Sequence, residues 1–197
     1  MKLYLFLFLI LSMILVFAVP TYLIYKKTRI NPVTFGKEDN AHNFIGNVFK
    51  ILIGLLFVVL GINFFSENVY ENYLVPIKYM ETLTIFYIGL ILLHLSMLWI
   101  FIAQMQMGKS WRIGIDEKNK TELVKTGLFS VSRNPIFFGM IIAIFAAFLV
   151  LPNIITFFIA FAGYIIVQIQ IRLEEEFLQK QFGSEYTAYK SKTRRLI

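Results

Sequence analysis

Apolar positions in this chain come in long unbroken runs, with neither the strict alternation of a half-buried strand nor the polar face of a soluble amphipathic helix. The runs cover about residues 3–25, 44–65, 77–105, 136–151 and 154–171. A helix rises about 1.5 Å per residue, so about 20 apolar residues cross a bilayer core of about 30 Å. The pattern predicts an all-α integral membrane fold of about five transmembrane helices. Between the last two runs stand only Pro152 and Asn153, which predicts a tight helical hairpin, with the fixed φ of proline preset for the turn. The tail 172–197 is charged and helical in character. Phe177, Leu178, Phe182 and Tyr186 share one face there, and Gly183 suits a helix stop. The first run is too long for the core of a cleaved leader and is followed by Lys26, Lys27 and Arg29. It reads as a spanning helix. Lys50, the charge inside the second run, lies near enough to an end to snorkel.

Composition sharpens this picture. Of 197 residues, 58% are hydrophobic and 16% charged, with a formal net charge of +7. In a membrane protein such a charge belongs to loops facing the anionic cytoplasmic leaflet, so no nucleic-acid partner is implied. The absence of cysteine excludes disulfides, thiolate metal sites and a cysteine nucleophile. His42 and His94, the two histidines, are far apart in sequence, and no metal site is expected.

The basic residues fall in alternate connections. Lys26, Lys27, Arg29 and Lys37 follow the first run. Lys109, Arg112, Lys118, Lys120, Lys125 and Arg133 follow the third. Arg172, Lys180, Lys190, Lys192, Arg194 and Arg195 fill the tail. Five spans put all three groups on one side. The positive-inside bias then predicts an external N-terminus and a cytoplasmic C-terminal tail. The chain reads as one structural domain, with a three-helix membrane part over 1–105 and a polar-rich part over 106–197. In the latter, the hairpin draws segments 106–133 and 172–197 together at the cytoplasmic face. A site there has water on one side and lipid on the other, which suits a soluble cofactor and a lipophilic acceptor.

The reaction is suggested by a resemblance. The stretch Thr121-Glu-Leu-Val-Lys-Thr-Gly127-Leu-Phe129, then Ser132-Arg-Asn-Pro-Ile-Phe-Phe-Gly139, is followed after the hairpin by Glu174-Glu175-Glu176 and Phe182-Gly183-Ser184-Glu185-Tyr186, with Tyr189 beyond. This order resembles the isoprenylcysteine carboxyl methyltransferase family and its phospholipid methyltransferase relatives. Gly108-Lys-Ser-Trp111-Arg112 is similar to the lead-in of bacterial relatives. The resemblance implies an S-adenosylmethionine-dependent integral membrane methyltransferase, with 106–197 as its catalytic part. It implies that Thr121, Glu122, Leu123 and Val124 line the adenosine end of the cofactor pocket. Phe129, Asn134, Pro135, Phe137, Glu174 and Glu175 would complete that pocket. Asn134 and Arg172 are the catalytic candidates, expected nearest the acceptor, a lipid or other lipophilic small molecule, although Arg172 is offset from the family's arginine position. A sulfonium and an ammonium suit carboxylates and aromatic faces.

Three positions depart from that pattern. Asn134 stands for a histidine and cannot become cationic. Phe129 and Phe137 lack the hydroxyls of tyrosines. Gln170 lies where the family has a substrate-binding arginine. The acceptor atom therefore stays open between carboxylate, amine and thiol. Two other readings stand beside this one: a nicotinamide-dependent membrane reductase, disfavoured by Met140 after Gly139, and a non-catalytic protein of the same fold.

Simpler roles exist for each residue. Asn134 and Pro135 can open a helix as N-cap and first residue. The glutamates can be a solvated helical turn. Tyr186, Tyr189, Trp99 and Trp111 can mark membrane interfaces or pack. His94 can bond a neighbouring helix. Gly139 can permit close helix approach or form a lateral door for the acceptor.

Overall fold

Each apolar run becomes a helix. The computed structural model describes residues 1–36, 38–116, 119 and 121–197, and their regular elements are all helical. Lys37, Lys118 and Lys120, counted above among the basic residues, lie outside the described residues. The chain starts with α1 (Lys2–Met13), a π turn (Ile14–Ala18) and α2 (Val19–Thr28), which follow without a break. There follow α3 (Ala41–Phe65), the short α4 (Glu67–Tyr73), α5 (Leu83–Met107), α6 (Pro135–Val150), α7 (Ile154–Phe182) and α8 (Ser184–Lys192).

Four segments are long and apolar enough to cross a membrane: Lys2–Thr28, Ala41–Phe65, Leu83–Ser110 and Ile154–Phe182. The fourth expected span, α6, has 16 residues. At about 1.5 Å each it extends about 24 Å, short of a full crossing. It packs between α5 and α7. The other difference lies after residue 171. There the hydropathy falls, but the helix does not stop, and α7 continues through the glutamates to Phe182. Leu, Glu, Gln and Lys are all good helix formers, so loss of apolarity ends the membrane signal without ending the helix. Gly183, at φ +53°, breaks it there as expected.

Side-chain caps fix where the long helices begin. Asn40 accepts from the Asn43 N–H and Thr82 from the Ile85 N–H. Asn153 accepts from Ile155 and Thr156, while the Thr156 hydroxyl accepts from the Asn153 N–H. That reciprocal box makes the two-residue hairpin turn rigid.

The π turn has an identifiable cause. In a regular helix the Val16 carbonyl would accept from the N–H of residue 20, but residue 20 is proline and has none. The Gln104 amide donates to that carbonyl instead, at 2.9 Å. One buried hydrogen bond thereby ties the first rod to α5.

The polar connections segregate to two ends. At one end Lys2 pairs with Glu67, Lys78 pairs with Glu71 and Glu81, and Ile77 donates to the Pro152 carbonyl at the hairpin turn. At the other end Val33 bridges Ile113, and Ser132 bridges Arg194. Segments 26–43, 106–133 and the region after 172 meet at this second, basic end, in agreement with the grouping of Lys and Arg in the sequence.

Close packing sets the site's back wall. A Cβ on Gly139 would lie 2.5 Å from the Ile100 side chain, so Gly139 serves the α5–α6 contact and is not a lateral door. Trp99 seals the same seam: its indole N–H donates to the Pro135 carbonyl and its ring meets Phe138 edge-on. His94 bonds the Leu90 carbonyl and the Tyr4 hydroxyl, a helix-to-helix link between α5 and α1.

A cavity and a buried ion cluster at the basic end

The basic end holds a cavity of about 480 Å³. Its walls come from every long helix and from the connector between α5 and α6. The connector contributes Trp111, Arg112, Thr121, Glu122, Leu123, Val124 and Phe129. Asn134, Pro135, Phe137 and Met140 come from the entry of α6, and Gln170, Glu174, Phe177 and Leu178 from α7. The facing wall consists of Met13, Val16 and Phe17, with Gly46, Phe49, Lys50 and Ile53 of α3. Most of this surface is apolar, so each polar group in it carries information.

Three consecutive glutamates on α7 diverge, because successive residues turn by about 100°. Glu174 lines the cavity and has no hydrogen-bond or ion-pair partner among the described residues. Glu176 is exposed and pairs with Lys180 one turn on. Glu175 is buried at the centre of a cluster. Its Oε1 accepts from Arg133 Nε and Nη2 and from Asn134 Nδ2, at 3.1, 2.9 and 3.2 Å. Its Oε2 accepts from Arg195 Nε and Nη2, at 3.1 and 2.9 Å. Arg133 also donates to the Lys190 and Thr193 carbonyls, and its N–H donates to the Arg194 carbonyl. The cluster clips residues 193–195 against the entry of α6.

Asn134 is the residue before α6, and Pro135 is the first helical residue. The asparagine side chain makes no capping bond; its amide donates to Glu175 and to the Arg195 carbonyl, while its own N–H donates to Ser132 Oγ. The amide is oriented by the ion cluster, where its Nδ2 makes a charge-assisted hydrogen bond to the buried carboxylate.

Of the residues expected at the site, Thr121, Glu122, Leu123, Val124, Phe129, Asn134, Pro135, Phe137 and Glu174 all line this one cavity. Two do not. Glu175 is committed to the ion cluster behind it. Arg172 is exposed and turned back along α7, where it donates to the Gln168 carbonyl and side-chain oxygen. It lies two residues from Gln170 and therefore about 200° around the helix.

Other residues enter that the sequence reading did not assign to the site. Arg133 organises the cluster, and its place inside the Arg-Asn-Pro run was the available signal. Trp111 is buried in the cavity wall instead of marking an interface. Arg112 pairs with Asp116 at 2.8 Å, with both side chains buried. His42 accepts from the Ile115 N–H and stacks on Phe35, holding the connector against the start of α3. Tyr189 donates to the Phe129 carbonyl at 2.5 Å, and Tyr186 is buried beside it. Burial pushes both hydroxyls up to about 12. They are therefore neutral at physiological pH and cannot act as bases. Gln104 and Gln170 also line the cavity, and each has a buried Oε1 without a partner among the described residues.

A helical membrane protein with a largely apolar cavity at one end, reached by a polar connector and closed by a buried ion cluster, is the class this fold defines. The family of phospholipid methyltransferases matches residues 83–185, just over half of the chain, and the chain belongs to that family. The match starts at α5 and ends as α8 begins, so it contains the connector, the hairpin and all three glutamates. No curated protein matches the chain.

Proposed function

We propose that the protein transfers a methyl group from S-adenosylmethionine to a lipid acceptor at the cytoplasmic membrane face. The observation that carries this reading is Glu174, a carboxyl group with no hydrogen-bond or ion-pair partner among the described residues, in the wall of a mostly apolar cavity. A lone carboxyl group in such surroundings either takes up a proton or is charged against a cationic ligand, and the cavity offers room for one. S-adenosylmethionine carries a sulfonium and an ammonium and, when bound, supplies an electrophilic methyl group. Phe129, Phe137 and Trp111 offer aromatic faces to a cation. The non-helical backbone of Thr121–Val124, which lines the cavity, suits a polar adenosine. The donor set fits the group.

Neighbouring residues would position the acceptor. In-line methyl transfer needs alignment more than acid–base chemistry, so held geometry supplies much of the rate. The Arg133–Glu175–Arg195 cluster holds the connector, α6 and α7 in register, and Asn134 belongs to both the cluster and the cavity wall. An apolar wall from α1, α3 and α5 suits acyl chains arriving from the membrane. The family membership supports a lipid as acceptor, and the cluster of basic connections supports a cytoplasmic location for this end.

The test is cofactor binding measured by calorimetry on purified protein. Glu174→Gln should weaken S-adenosylmethionine binding by about tenfold or more, as expected for a charge-assisted contact. Glu176→Gln, which alters an exposed pair, should leave it unchanged. Equal losses in both variants, or binding of NADPH instead, would refute the reading.

A further inference from the structure

The cavity wall that faces the family-matched half is built by residues 13–53, outside the matched segment. It is apolar except at one residue. On α3 the lining positions Gly46, Phe49, Lys50 and Ile53 recur at helical spacing and form one stripe. Lys50 is the formally charged residue of that helix, flanked by Val48, Phe49, Ile51 and Leu52. It stands nine residues past Ala41, or about 14 Å along the axis.

Its partners set it apart from the other cations in the cavity wall. Arg112 is paired with Asp116 and Arg133 with Glu175. Lys50 Nζ meets only the neutral amide oxygen of Asn47, at 3.4 Å, and has no carboxylate partner among the described residues. It both lines the cavity and is exposed on the helix flank, so it stands at a mouth of the cavity. An ammonium inside a membrane-spanning helix is costly, and such groups mark ligand paths when they face a cavity. Lys50 stands well inside the span, so an anion that reaches it must enter the cavity, and a phospholipid entering from the membrane brings a phosphodiester. We propose that Lys50 binds the phosphate of the acceptor phospholipid and thereby sets which lipids enter the cavity. This inference rests on the reading of the cavity as an acceptor site. It assigns acceptor selection to the wall that the family-matched half does not build.

Snorkelling to bulk lipid is the rival role, and it makes no distinction between acceptors in the cavity. The experiment therefore uses two acceptors in uncharged detergent micelles: a short-chain amino-phospholipid and an otherwise identical aminolipid lacking the phosphate. Binding is read by the fluorescence of Trp111 in the cavity wall, with Trp99→Phe removing the second signal. Methyl transfer from labelled S-adenosylmethionine is read in parallel. Lys50→Gln should weaken binding of the phospholipid by about tenfold to a hundredfold, the range of a charge-assisted contact. It should leave the phosphate-free lipid and the cofactor affinity unchanged, and Lys50→Arg should restore phospholipid binding. Inorganic phosphate should compete poorly, since it lacks the acyl chains. Equal losses for both acceptors, or none, would overturn the assignment. Phosphate-dependent binding without any methyl transfer would keep the Lys50 site and overturn the proposed reaction instead, so the two failures are distinct.

Discussion

Replacing Glu175 with alanine removes the acceptor of five hydrogen bonds, four from guanidinium groups and one from Asn134. The two arginines then fare differently. The Arg195 side chain is 40% exposed and can turn to solvent, so its loss contributes little. The Arg133 side chain is 7% exposed and cannot. Breaking a buried pair by deleting one partner costs about 3–5 kcal/mol, because the remaining charge is left uncompensated. Arg133 keeps the carbonyls of Lys190 and Thr193, which places the expected loss at the lower end, about 3 kcal/mol. That is roughly a hundredfold in the unfolding equilibrium. The assay is reversible unfolding in mixed micelles, followed by tryptophan fluorescence. Glu176→Ala is the control, since its partner Lys180 is exposed and no measurable change is expected. A double variant lacking both Arg133 and Glu175 should lose less than the sum of the single losses. Equal stability for Glu175→Ala and Glu176→Ala, or strict additivity in the double variant, would refute the cluster as the clamp of this end.

Gly139→Leu should destabilise the protein by about 1–3 kcal/mol, because its side chain must displace Ile100 at the α5–α6 seam; unfolding in mixed micelles measures this, and a stable variant with impaired acceptor entry alone would return Gly139 to the role of a door. Tyr186 and Tyr189 are held up to about 12 by burial, against an ordinary value of 10.0. Their raised values favour the folded state below pH 10, and that contribution is lost as pH rises from about 10 to about 12; an ultraviolet phenolate titration should show a late-ionising set of tyrosines that shrinks in Tyr186→Phe and in Tyr189→Phe, and an unchanged late set in both variants would contradict this. The cysteine-free sequence allows single-cysteine reporters: a membrane-impermeant maleimide should label Lys78→Cys in intact cells but Lys125→Cys only after lysis, and the reverse pattern would invert the proposed orientation.

Much of this architecture was legible because bilayer thickness imposes a length on apolar helices. The long spans, the Pro152–Asn153 hairpin and the stop at Gly183 follow from run length and turn chemistry. Most connector residues named for the site also meet in one cavity, since motif order and a two-residue hairpin leave few alternative placements. What escaped was sidedness around each helix. In a membrane both the lipid face and the packed face are apolar, so hydropathy did not reveal that Gly139 faces α5, nor that Met13, Val16 and Phe17 wall the cavity. The glutamates show the same limit. Three adjacent carboxylates look alike in sequence, and only the positions of Arg133, Arg195 and Lys180 divide them into an ion-cluster centre, a surface pair and a cavity group with no partner among the described residues. Arg172 illustrates it in reverse: two residues from Gln170, it turns away from the cavity.

The bond from Gln104 to the Val16 carbonyl makes two distant positions a single inherited unit. Proline at 20 creates the vacancy, and glutamine at 104 fills it. Replacing Pro20 with alanine, ordinarily a helix-favouring change, would restore the helix's own donor to a carbonyl that the Gln104 amide already occupies. Replacing Gln104 with leucine would leave the carbonyl bare. Each change alone is a fault, while both together describe an ordinary straight helix beside an ordinary apolar one. Removing the pair as a unit would free the first helix to rotate and reshape the apolar cavity wall formed by Met13, Val16 and Phe17.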